Sequence, residues 1–220
     1  LQTFLVNNEI KTIVDMGCGD WQFSCNVNWS GIQYKGYDVV KSLIEKNNNK
    51  YMSSNINFYH YSGEVNDLPS ADLLIAKDVL QHWSHKSINE FLRYIYKYKY
   101  CLITNCVNPQ CDTTKIETSV DSNYYSYIRL IKMVLGYIKD YIKYKYCCVC
   151  RCPHPRLLPT NNDIQDGDFA YLNLLSPPFN LEAKEIYAFT NCRPKKIPSI
   201  LFRTSFLKKV LFIDNTIKNS

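Results

Sequence analysis

The sequence predicts a doubly wound α/β fold with a mostly parallel sheet. Three observations predict it. Short apolar or β-branched runs alternate with helical segments through the first half of the chain; each run stops at a glycine or a polar residue; and the intervening stretches are long enough for right-handed crossovers.

The elements follow in order. Thr12 to Met16 reads as a buried parallel strand that ends at Gly17, and Gln33 to Tyr37 as a second that ends at Asp38. Val40 to Tyr51 predicts a helix, because Val40, Leu43 and Ile44 share one face while Lys41, Glu45 and Lys46 point away. Ile56 to Tyr61 is a third strand, followed by Ser62 and Gly63. Ala71 to Ala76, apolar except for Asp72, is a fourth and central one. His85 to Tyr98 predicts a helix with Ser84 as N-cap and Glu90 early in the run, and Tyr100 to Thr104 a fifth strand. Beyond it the pattern gives a long helix over 123–146, a Cys- and Pro-rich stretch, a polar-then-aromatic segment over 161–181 and a closing strand, Lys208 to Ile213. The expected organisation is one domain: a core over 1–105, a helical, Cys-rich insertion over 112–160 and an acceptor-side segment with the closing strand over 161–220.

Composition bounds the function. Hydrophobic residues at 46% and charged residues at 21% exclude a disordered or collagen-like chain. The net charge of +6 is spread too thinly to indicate nucleic acid, while an acidic or glycan-bearing partner stays compatible with it. No apolar run is long enough to span a bilayer and no signal peptide opens the sequence, so a cytoplasmic protein is expected, with reduced thiols. The missing initial Met points to processing or to a piece of a longer polypeptide.

In such sheets ligands bind beyond the carboxyl ends of the strands, where strand order reverses. The residues there form a set: Val14 to Trp21 (VDMGCGDW), Asp38, Ser62 with Gly63, and Lys77 with Asp78. Gly17 and Gly19 let the backbone turn sharply against a ligand. A dinucleotide needs a further glycine where this chain has Gln22, so that a pyrophosphate can reach a helix N-terminus. Trp21 and Gln22 are expected to crowd that place, which favours a nucleoside cofactor without phosphates, S-adenosylmethionine among them. The two oxygens of Asp38 suit a ribose diol.

These motifs, together with GYDVV around Asp38 and ADLLIAKDVLQHW (Ala71 to Trp83), resemble those of class I S-adenosylmethionine-dependent methyltransferases with a Rossmann-like fold. GCGDWQFS, KDVLQHW and NNDIQDGDFAYLNLLSPPFNL are similar to a subgroup of small bacterial and giant-virus members, some associated with glycan modification. The resemblance covers residues 10–105 closely and 161–181 recognisably. It implies that Asp15 and Gly17 shape the turn under the cofactor, that the backbone of Gly19, Asp20 and Trp21 lies near its methionine moiety, and that Asp38 holds the ribose. An acidic residue often stands near the position of Ser62, so the adenine contact falls to Ser62 or a neighbouring backbone group. A viral chain would act in host cytoplasm or a viral factory.

A sulfonium already activates the methyl group, so the protein must align the acceptor and, for a hydroxyl, supply a base. His82 is the candidate base, with Asp78 four residues earlier to orient it if both share a helical turn. The competing reading makes His82 a packing residue beside Trp83. His85 is expected at an exposed helix start and His60 in a strand. Asp163, Asp166 and Asp168 would meet acceptor hydroxyls if 161–181 folds over the strand ends, or stay solvated in a surface loop.

Cys147, Cys148, Cys150, Cys152 and His154 are zinc-ligand types, but no second pair follows at the usual distance, so the cluster is expected to be metal-free. In the long helix Ile128, Ile131, Leu135, Ile138 and Ile142 form an apolar stripe, expected against the domain or a second copy, with membrane contact as the sharper alternative. The leading expectation is an O-methyltransferase acting on a small or sugar-like acceptor. The rivals are a non-catalytic scaffold of the same fold and a dinucleotide-dependent sugar oxidoreductase.

Overall fold

The computed structural model describes residues 1–107, 160–192 and 205–216. The long helix expected over 123–146 and the Cys147–His154 cluster lie outside the described residues. Seven strands form one sheet: β1 (Thr12–Met16), β2 (Gln33–Asp38), β3 (Ile56–His60), β4 (Ala71–Lys77), β5 (Tyr98–Val107), β6 (Lys184–Cys192) and β7 (Ser205–Asp214). Their order is β3-β2-β1-β4-β5-β7-β6. The first five run parallel, and β7 lies antiparallel to both β5 and β6. The strand order reverses between β1 and β4, which sets a binding crevice at their carboxyl ends.

Alternate residues of the central strands feed two cores, as the two-residue period of a pleated strand requires. On one face Val14, Met16, Leu74, Ala76 and Ile103 pack on α3 (His85–Tyr94) through Ile88 and Phe91. On the other, Ile13, Leu73, Tyr34 and Phe58 meet Leu5 of α1 (Gln2–Asn7) and Ile44 of α2 (Lys41–Tyr51). Val40, expected on the buried face of its helix, is instead the exposed N-cap of α2. Ser84 caps α3 as expected, its Oγ accepting from the Ser87 amide at 3.3 Å.

Three elements differ from expectation, the first being α1, Gln2–Asn7, which the sequence reading did not place. The helix expected to reach Tyr98 gives way after Tyr94 to a 3₁₀ turn, Ile95–Lys97, and the sheet takes up Tyr98. The strand β6 was not expected at all. It is the outermost strand, Ile186 and Tyr187 are exposed, and a register shift between Glu185 and Tyr187 interrupts the alternation that marks a strand in sequence.

Candidate active site

β1 ends where its backbone turns left-handed, with φ of 72° at Gly17 and 57° at Gly19. A Cβ on Gly17 would lie 2.2 Å from Val79 Cγ2, so this turn is packed directly onto the segment leaving β4. Around Gly19 the opposite holds: a Cβ there would meet nothing within 4 Å, and the turn opens onto free space. The turn is tied down from behind. The Tyr37 carbonyl accepts from the amides of Gly17 (2.8 Å) and Cys18 (3.0 Å), and buried Asn47 of α2 donates to the Gly19 carbonyl at 2.7 Å.

Asp38 ends β2 beside this opening. One carboxylate oxygen accepts from the Gly19 amide and the other from the Val40 amide, both at 2.9 Å. Each oxygen keeps a further lone pair, so the group is oriented without being exhausted. Asp15 sits beneath the turn, buried, and accepts a hydrogen bond from Tyr34 Oη. Burial raises its carboxyl to about 6 against the pull of Tyr34 and Lys77. Burial likewise pushes the Cys18 thiol up, which disfavours the thiolate.

Trp21 corrects one expectation. Its backbone is left-handed, with φ of 59°, and its ring turns into the core against Trp29, Tyr34, Tyr51 and Phe58. The side chain therefore crowds nothing in the crevice. What disfavours a pyrophosphate is the chain itself: residues 17–32, all described, contain only the 3₁₀ turn Ser24–Asn26 and no α-helix whose N-terminus could receive phosphates. Asp20 and Gln22 are exposed on this loop.

After β3, Ser62 Oγ donates to Asp67 at 2.8 Å and accepts from the Glu64 amide at 3.2 Å, and Gly63 has φ of 102°. The exposed acids Glu64 and Asp67, which the sequence reading passed over, thus stand beside Ser62 in this turn.

At the end of β4 the expected pairing of Asp78 with His82 does not form. Asp78 is left-handed, with φ of 62°, so it does not share a helical turn with His82. Its carboxylate accepts from Lys77 Nζ at 3.0 Å and from Lys208 of β7, whose side chain is largely buried. His82 closes a 3₁₀ turn, Leu80–His82, and its Nδ1 lies 2.8 Å from the Asp168 main-chain carbonyl. A carbonyl oxygen only accepts, so Nδ1 carries a proton, and in the neutral ring Nε2 keeps its lone pair.

The carbonyl arrives on residues 160–174, which fold over this edge, the first of the two arrangements left open for 161–181. Gly167 donates to the His82 carbonyl (2.7 Å), Ala170 to the Gln81 carbonyl (2.9 Å) and Leu172 to the Cys106 carbonyl (2.9 Å). Its acids correct a further expectation. Asp166 accepts from the Ser84 amide (2.6 Å) and from Ser87 Oγ (2.8 Å), and Asp163 from the His85 amide (2.8 Å). Both cap the start of α3, Asp166 through both carboxylate oxygens and Asp163 through one, and like Asp168 they remain exposed. His85 is only partly exposed, its ring packed edge-on to Phe179, and His60 is the last residue of β3.

Among solved structures, a methyltransferase from Methanosarcina mazei aligns over 96% of both chains with a TM-score of 0.53 at 13% identity. TehB from Haemophilus influenzae gives a TM-score of 0.53 at 11% identity, over 96% of this chain and 59% of its own. The mitomycin 7-O-methyltransferase MmcR gives 0.50 at 12%, over 94% and 50%. At these identities the likeness establishes the fold, that of S-adenosylmethionine-dependent methyltransferases. No curated protein matches by sequence. Residues 1–129 match the O-methyltransferase domain family. That match spans more than half of the 220 residues and contains the Gly17–Gly19 turn, Asp38 and the segment from Lys77 to His82, and the chain belongs to the O-methyltransferase domain family.

Proposed function

We propose that the protein is an S-adenosylmethionine-dependent O-methyltransferase that uses His82 as base on a hydroxyl acceptor. The observation that carries the cofactor is the open space at Gly19 beside the carboxylate of Asp38, on a loop with no helix N-terminus for phosphates. The donor set fits: Gly17 to Asp20 offer backbone to the amino-acid part, Asp38 offers lone pairs to two ribose hydroxyls, and exposed Val39 next to it offers apolar surface to a base. Held by these groups, S-adenosylmethionine would supply an electrophilic methyl group to the acceptor oxygen, its sulfur keeping the pair of the C–S bond. His82 Nε2 takes the hydroxyl proton, and the Asp168 carbonyl holds the ring in the required tautomer. The role of His82 is supported by its position three residues after Val79, which packs on the Gly17 turn.

A small or sugar-like acceptor is supported by the sequence resemblance alone. The test is methyl transfer to a panel of sugars, followed by mass spectrometry. One added methyl group, lost in His82→Gln with S-adenosylmethionine affinity retained, supports the reading, with turnover falling roughly 100-fold. Equal turnover in the Gln variant removes the base.

A further inference from the structure

Beside the candidate base stands a second side chain that the sequence reading did not single out. Gln81 is 6% exposed, and its Oε1 accepts from the Cys106 amide at 2.8 Å. That bond fixes which end of the amide is which: the oxygen must face the main-chain N–H, so the NH2 faces the other way. There it lies 3.5 Å from His82 Nε2. The Asp168 carbonyl has meanwhile set that nitrogen as an acceptor. Two independent backbone contacts therefore place an N–H donor and a lone pair side by side, too far apart for a good mutual hydrogen bond. One oxygen placed about 2.8 Å from each would satisfy both, provided it can donate and accept at once. A hydroxyl does so. An amine already committed as a cation, or a carboxylate, does not.

We propose that Gln81 is a second catalytic residue, whose amide N–H donates to the acceptor oxygen while His82 Nε2 receives its proton. The inference rests on the reading of His82 as base and deepens it. As the O–H proton passes to Nε2, negative charge grows on the oxygen, and the Gln81 N–H, already fixed, stabilises it and points the remaining lone pair at the methyl carbon. The requirement for a donor and acceptor in one atom favours hydroxyl acceptors over cationic amines and carboxylates.

The test is nuclear magnetic resonance on the full-length 15N-labelled chain saturated with S-adenosylhomocysteine, with methyl glucoside as hydroxyl probe. Expected first is a His82 ring with the proton on Nδ1. Adding the probe should then move His82 Nε2 and the Gln81 side-chain NH2 together on one saturation curve. Gln81→Glu keeps an oxygen for the Cys106 amide but replaces the donor by an acceptor, so probe affinity should fall about 10-fold or more while S-adenosylhomocysteine affinity holds. A His82 signal that moves while Gln81 stays still, or a Glu variant that binds the probe as well as the native chain, overturns the role of Gln81 and leaves the base standing. A His82 signal that does not move overturns both.

Discussion

At the residue scale, buried charge separates supporting residues from reacting ones. Asp15 stays at about 6 because burial outweighs its hydrogen bond from Tyr34, so ionising it costs the folded state energy that it does not cost the unfolded one. Its carboxyl is raised, so the stability it allows is complete below about pH 4 and is lost as pH rises through about 6. Asp15→Asn should therefore unfold at higher urea near pH 7, by up to about 1 to 3 kcal/mol, and show little difference at pH 4. Equal gains at both values would mean the charge is not the cause. Asp72 behaves in the opposite sense. Burial would raise it, but Lys99, Thr12 and the amides of Lys11 and Thr12 hold it at about 2. Its contribution is present above the ordinary carboxylate range and disappears as pH falls through about 2. Gly17, Gly19 and Asp38 were legible in the sequence because their spacing around strand ends is dictated by the fold. Asn47 and Gln81 were not, since a polar residue buried at a helix face or turn looks the same in sequence as one in water.

At the element scale, the segment 160–174 and α3 hold each other. The four N–H groups at the start of a helix need acceptors, and here Ser84 supplies one locally while Asp166 and Asp163 bring others across from a segment about eighty residues away. The backbone bond from Ser84 is the main cause that lowers the Asp166 carboxyl. Asp166→Ala should cost about 0.5 to 2 kcal/mol in thermal or urea unfolding, and Asp166→Asn less, because the amide still accepts from Ser84 and donates to Ser87. A fully stable Ala variant would show that the contact does not hold the segment. That the segment could cover the strand ends was suggested by its position after the fifth strand, with a surface loop as the equal alternative. That its acids serve α3 was not, because capping from a distant segment has no local spacing. β6 escaped for a related reason: the bulge beside Glu185 breaks the alternation by which strands are recognised.

At the scale of the whole molecule, strand order does most to position the chemistry. Parallel strands β1 to β5 bring Gly17, Asp38, Ser62 and Asp78 to one edge, and the antiparallel β7 adds Lys208, which takes the carboxylate expected to serve His82. The alternation of short strands and helices foretold this edge, because each crossover returns the chain in the same direction. Which residues meet across it depended on β7 and on the segment 160–174, both remote in sequence. The claim on which everything else rests is that the Gly19 opening and Asp38 hold S-adenosylmethionine. Calorimetry with S-adenosylmethionine, S-adenosylhomocysteine and NAD tests it most directly. One site per chain for the first two, none for NAD, and a loss of about 1 to 3 kcal/mol in folded Asp38→Ala is the predicted result; binding of NAD, or affinity for S-adenosylmethionine unchanged in Asp38→Ala, would contradict it.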